Sequence, residues 1–112
     1  MWLSNQTRQV RIVPVQIADH FWTRLQGMLG ARSDQPVPAL WFPSCSSIHT
    51  VGMKFPLDVI FLDRNLRVVK MILKVPPGRW MVYCEKARSV LEIISGRWDT
   101  ALISVADLLA FS

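Results

Sequence analysis

The sequence predicts a small, mainly β single domain, sandwich- or barrel-like, with one short helix near the N terminus. Three observations carry that prediction. The chain has 112 residues, 51% hydrophobic and 19% charged, which suffices for one compact core and leaves no room for two. From Ala39 onward, short apolar stretches alternate with turn-forming residues, a texture of sandwiches and barrels rather than of βαβ units. Only the segment 19–29 carries an apolar stripe at helical period.

The first seven residues are polar enough to fray, so the domain is read as 8–112 with 1–7 as a short polar tail. Gln9 to Val15 alternates as a first strand whose Pro14 suits an edge or a strand end. In the helix, Phe21, Trp22, Leu25, Met28 and Leu29 form the apolar stripe, Asp19 caps the start and Gly30 ends it. Gly27 weakens that helix by roughly 1 kcal/mol relative to Ala, which suggests that another backbone approaches it closely.

Ala39 to Phe42 is a short strand closed by Pro43, and Leu57 to Leu62 is a dense one interrupted by Asp58. Asp63, Arg64 and Asn65 supply a turn before Leu66 to Val75, so these two strands read as a hairpin. Strict alternation would put Val69, Met71, Leu73 and Val75 on one face, opposite Lys70 and Lys74. Pro76, Pro77 and Gly78 stop that strand; Trp80 to Tyr83, Ser89 to Ile94 and Ala101 to Phe111 complete the set. Strand parity names Val59, Phe61, Val69, Met71, Leu73, Leu91 and Ile93 as core.

Composition also excludes several functions. No apolar run approaches the roughly 20 residues of a spanning helix, and two cysteines cannot make a disulfide framework or a four-thiolate zinc site. The start MWLSNQTRQV lacks the basic-then-apolar order of a secretory signal, making the cytoplasm the default expectation, where a Cys45–Cys84 disulfide is disfavoured. Glycine-rich phosphate loops and paired-carboxylate hydrolase patterns are absent.

Certain strings are distinctive: RLQGMLGAR (24–32), SIHTVGMKFPLDVIFLD (47–63), PPGR (76–79) and ARSVLEIISG (87–96). In order and spacing they resemble the bacterial and archaeal domain-of-unknown-function family numbered 192, over nearly the whole chain. Most specific is the stretch His49 to Asp63, in the version with Cys45, Ile48, His49, Thr50 and Met53. The resemblance implies a β-rich, sandwich-like fold with a short helical insertion, and no established activity. Relatives usually carry a Gly-Asp pair in the closing strand where this chain has Ala106 and Asp107, which bears on any tight turn needing glycine there.

The chemistry-bearing residues concentrate between Cys45 and Asp58. Thiolate, imidazole and thioether at Cys45, His49 and Met53 are the donors of a Cu(I) site. In extended chain, however, Cys45 and His49 would stand about 13 Å apart at ~3.3 Å per residue, and packing roles for Cys45 and Met53 are the simpler reading. Cys45 and His49 could also pair as nucleophile and base, with Asp58 as the near candidate for an orienting acid. Asp58 is more simply read as accepting backbone N–H groups from the His49–Phe55 loop. No catalytic set, metal site or cofactor is assigned. The favoured expectation is a small non-enzymatic binding or accessory module, with Cys45, His49, Thr50, Met53 and Asp58 shaping a site for a small ligand or partner protein.

Charge is uneven. The chain carries 13 Lys and Arg against 8 Asp and Glu, a formal charge of +5. Residues 64–97 hold eight of those cations and only Glu85 and Glu92 as acids, with Trp80, Tyr83 and Trp98 nearby. A solvated sheet face accounts for this; an anionic partner is the weaker expectation.

Overall fold

The computed structural model describes residues 1–18 and 37–112. The predicted helix from Asp19 to Leu29, with Phe21, Trp22, Leu25 and Met28, lies outside the described residues.

Nine strands are described: β1 (Trp2–Asn5), β2 (Val10–Ile17), β3 (Ala39–Pro43), β4 (Ser47–Ile48), β5 (Leu57–Leu62), β6 (Val68–Val75), β7 (Val82–Tyr83), β8 (Ser89–Ile94) and β9 (Leu109–Phe111). Seven form one sheet in the order β6-β5-β8-β3-β2-β1-β9, while β4 and β7 pair separately. The β2–β3 pairing is parallel and the other strand pairs are antiparallel. The sheet curls until its ends meet. Arg67 bridges to Leu108, the Val68 N–H donates to the Asp107 carbonyl at 2.9 Å, and the Leu109 N–H donates to that of Leu66 at 2.9 Å. The result is a mainly β, barrel-like architecture. Among the described residues the helical element is a 3₁₀ turn, Thr100–Leu102, capped by Asp99, so the expected closing strand from Ala101 shortens to β9.

The curl creates two apolar layers. Leu3, Val13, Ile60, Leu62, Leu91 and Leu109 belong to a layer fed by every part of the sheet, which identifies it as the inside of the curl. Phe42, Leu57, Val59, Phe61, Val90 and Ile94 belong to the other, outer layer, where Met53, Val82 and Ala87 from the covering loops join them. β5 and β8 are buried at every position because both their faces are covered, which explains why their sequences are nearly continuously apolar.

Two expectations need correction. Residues 1–7, read as a tail, contribute β1, which lies between β2 and β9 with Leu3 and Asn5 fully buried. Their polarity is spent inside: Asn5 Nδ2 donates to the Leu102 carbonyl at 2.9 Å and to Asp107 Oδ2 at 2.7 Å. The predicted parity of β6 also fails. Leu57 faces Val75 while Val59 faces Ile72, and Phe61 faces Lys70 while Leu62 faces Val68. β6 therefore holds one extra residue at each of two bulges, and each bulge switches the face of the residues beyond it. Val69, Ile72 and Val75 join the outer layer, Val68 and Met71 the inner one, and Leu73 is left 44% exposed.

Candidate functional site

The second bulge is held by one of the predicted site residues. Lys74 has φ 56°, a left-handed conformation, and its N–H donates to Asp58 Oδ1 at 2.9 Å. Ser95 Oγ donates to the same oxygen at 2.7 Å, and Trp98 Nε1 donates to Oδ2 at 2.6 Å. Asp58 is 1% exposed, and three donors satisfy a carboxylate that burial alone would destabilise. Its partners come from β6 and from the segment after β8, not from the His49–Phe55 loop as the sequence suggested.

Thr50 has a matching role at the turn that follows β6. It is fully buried. Its hydroxyl donates to the Pro76 carbonyl at 2.7 Å and accepts from the Arg79 N–H at 2.9 Å. Its own N–H donates to the Arg79 carbonyl at 2.8 Å, and its carbonyl accepts from the N–H groups of Gly78 at 2.9 Å and Met53 at 3.1 Å. Gly78, at φ 91°, makes this turn feasible, since a left-handed conformation is strained for a residue with a Cβ. The turn at 50–53 and the Pro-Pro-Gly-Arg turn are thereby one hydrogen-bonded unit.

The remaining candidates separate. Met53 is buried in the outer layer, and His49 is exposed. Cys45 is half-buried and free, as is Cys84, and its thiol donates to the Ser47 carbonyl at 2.9 Å. It lines an open depression of about 470 Å³ together with Arg64 and Arg88; His49 does not line it. Among the described residues no three His, Cys, Asp or Glu side chains gather as a metal-binding group.

Between β6 and the 76–83 segment runs a groove of about 340 Å³. Ile72, Leu73 and Met81 give it apolar walls, Lys70, Lys74 and Arg79 give it cations, and among the described residues no acid lines it. None of the predicted site residues lines this groove, yet two of them fix its walls: Asp58 sets Lys74, and Thr50 sets Pro76 and Arg79. Five of the eight cations of the basic segment seen in the sequence line two places, three at this groove and Arg64 and Arg88 at the depression beside Cys45.

Sequence reasoning passed over Glu92. It lies on β8 opposite Leu40 and Val59, on the outer-layer side with Val90 and Ile94, and is 4% exposed. Among the described residues its carboxyl has no hydrogen-bonding or charged partner, and burial pushes its pKa up to about 8. The signal was present in SVLEII: an acid sharing strand parity with Val90 and Ile94. Asp107 shows the opposite balance. Burial raises its pKa, but the Asn5 side chain, the Ser104 N–H and the Arg8 guanidinium 3.0 Å away outweigh that and hold it below the usual carboxylate range.

The model of the family DUF192, described as "Uncharacterized ACR", matches residues 3–111. No curated protein matches the chain. Among solved structures, it is similar to a protein of unknown function from Novosphingobium aromaticivorans DSM 12444, with 18% identity and a TM-score of 0.74, over 99% of this chain and 93% of that one. It is also similar to a Sinorhizobium meliloti 1021 protein described as a "putative transcription regulator", with 19% identity and a TM-score of 0.80, over 97% of this chain and 89% of that one. At such identities the likeness shows the fold alone. Among the described residues no helix is long and apolar enough to cross a membrane.

Proposed function

The chain belongs to DUF192, and from that premise we propose that it is a small non-enzymatic binding module whose His49–Asp58 segment builds a site for an anionic, partly apolar ligand or chain. One observation carries this reading: Thr50 and Asp58, both buried, each bond the backbone of residues that line the groove, Asp58 the Lys74 N–H and Thr50 the Pro76 carbonyl and the Arg79 N–H. A groove fixed in advance loses less conformational freedom when it is filled, and apolar walls with a few convergent polar groups are the usual make-up of a ligand site.

The enzyme and Cu(I) readings have less support. Both need Cys45 and His49 to converge, whereas the Cys45 thiol is engaged with the Ser47 carbonyl and faces a depression that His49 does not line.

A titration with octyl phosphate followed by amide chemical shifts separates the readings. Shifts confined to β6 and 76–83, weakened at least tenfold by Thr50→Val and unchanged by Cys45→Ser, are the expected result. Loss of binding in Cys45→Ser, or no localised shift in the native chain, would overturn the binding-module reading.

A further inference from the structure

The face around the groove has a second property. Four of its large hydrophobic side chains are strongly exposed: Trp80 at 83%, Met81 at 71%, Tyr83 at 50% and Leu73 at 44%. Leu73, Met81 and Tyr83 line the groove themselves, and Trp80 sits between two lining residues, Arg79 and Met81. Residues 64–84 contain five cations and no acid. Among the described residues the only ion pair is Arg8–Asp107, so Lys70, Lys74 and Arg79 present their charge without a carboxylate partner. The surface is therefore both greasy and cationic, and its tip is held by the hydrogen bonds of Thr50 rather than by its own burial.

Resting on the groove reading above, we infer that this face docks on an anionic phospholipid surface, with Trp80 and Met81 entering the boundary between headgroups and acyl chains and Lys70, Lys74 and Arg79 meeting the phosphates. Aromatic rings with one polar edge settle at that depth, and long cationic side chains lie along apolar surface while their charge stays at the headgroups. Each cation near such a surface is worth about fivefold in partitioning, and burial of one large apolar side chain about tenfold or more. A single-stranded nucleic acid would also suit the charge, but it binds by stacking on flat rings. Leu73 and Met81 offer no ring, and their exposure favours the lipid.

Co-sedimentation of the full chain with vesicles tests this, using phosphatidylcholine alone and with one quarter phosphatidylglycerol. The expected result is binding to the anionic vesicles at least tenfold above the neutral ones, weakened by salt. Trp80→Ser combined with Met81→Ser should reduce it tenfold or more, as should Lys74→Glu combined with Arg79→Glu. Val105→Ser, a control at another exposed apolar residue (57%), should leave it unchanged. All five positions except Lys74 lie outside the strands, and thermal midpoints check that each variant folds.

No sedimentation, equal sedimentation with both vesicles, or insensitivity to the Trp80 and Met81 changes would overturn the inference. So would a single-stranded oligonucleotide that binds more tightly than the vesicles and ignores those two substitutions. If octyl phosphate still shifts the groove while vesicles do not bind, the lipid inference fails and the binding-module reading stands. If neither binds, both fail.

Discussion

On the inner side of the sheet Asp58 meets three donors; on the outer side, one strand away and opposite Val59, Glu92 meets none among the described residues. The two layers also differ in how they are built. The inner layer draws on all seven strands of the curled sheet and is sealed by the Asn5–Arg8–Asp107 network, in which Arg8 also donates to the Ala101 carbonyl at 2.6 Å and to Ser104 Oγ at 2.6 Å. The outer layer is closed by loops and the two-residue strands β4 and β7. Regular pairing builds the inside, while hydrogen-bonded turns build the outside, and the outside carries the groove. Satisfaction on the inner side is not complete, since Ser89 Oγ and Trp41 Nε1 are buried there with no hydrogen-bond partner among the described residues.

The largest effect expected from this contrast is pH-dependent. Glu92 keeps its proton in the folded chain to about pH 8, against an ordinary value of 4.5. Its contribution is therefore full below about pH 4.5 and is lost as the pH rises to 8, by up to roughly 5 kcal/mol. Asp107 works the other way: its lowered pKa supports folding above the usual carboxylate range and that support fades as the pH falls below it. Denaturant unfolding from pH 4.5 to 9 should show stability declining in the native chain and nearly level in Glu92→Gln. An equal decline in both would show that Glu92 is not the group responsible.

Next in size is Asp58→Ala, which strands the Lys74 N–H, the Ser95 hydroxyl and the Trp98 indole at once. A loss of about 3–4 kcal/mol in urea unfolding is expected, accompanied by faster hydrogen exchange at Lys74 as the bulge relaxes. A cost under about 1 kcal/mol would mean that water replaces the carboxylate easily.

The smallest effect is a gain. Ala106 holds φ 80°, with its N–H donating to the Val68 carbonyl at 2.8 Å and its carbonyl accepting from Arg67 Nη1 at 2.7 Å. The turn thus forms without a glycine, at a cost that the left-handed conformation sets near 1–2 kcal/mol. Ala106→Gly should raise stability by about 0.5–1 kcal/mol, since glycine returns part of the relief as unfolded-state entropy. A lower thermal midpoint would refute the strain.

Much of the sheet was legible because burial on both faces writes an unmistakable string: LDVIFL and SVLEII are the central strands they resemble. β1 was not legible, because four residues carry no usable period and Asn5 reads as solvent-loving until Asp107, far along the chain, is known to lie beside it. The parity of β6 failed for a related reason: the Lys74 bulge depends on a carboxylate of β5, and no local pattern encodes it. Thr50 and Asp58 stand out in the sequence as polar residues of a dense motif, but their hydrogen-bond partners, in distant segments, do not. Asp58 holds Lys74 and Thr50 holds Arg79, and those two cations read in the sequence as ordinary surface charge.

The seam where the curled sheet closes joins residues 66–68 to 106–109, and β1 pairs with β9, Leu3 facing Phe111. A chain emerging from the ribosome therefore leaves the second edge of β1 unpaired until β9 is made. Almost all of the ordering entropy must be surrendered before the last pairing rewards it, which places this fold among slow, late-closing topologies. Over that interval an unpaired edge is open to other copies of the chain, and the pairing of Leu3 with Phe111 covers it.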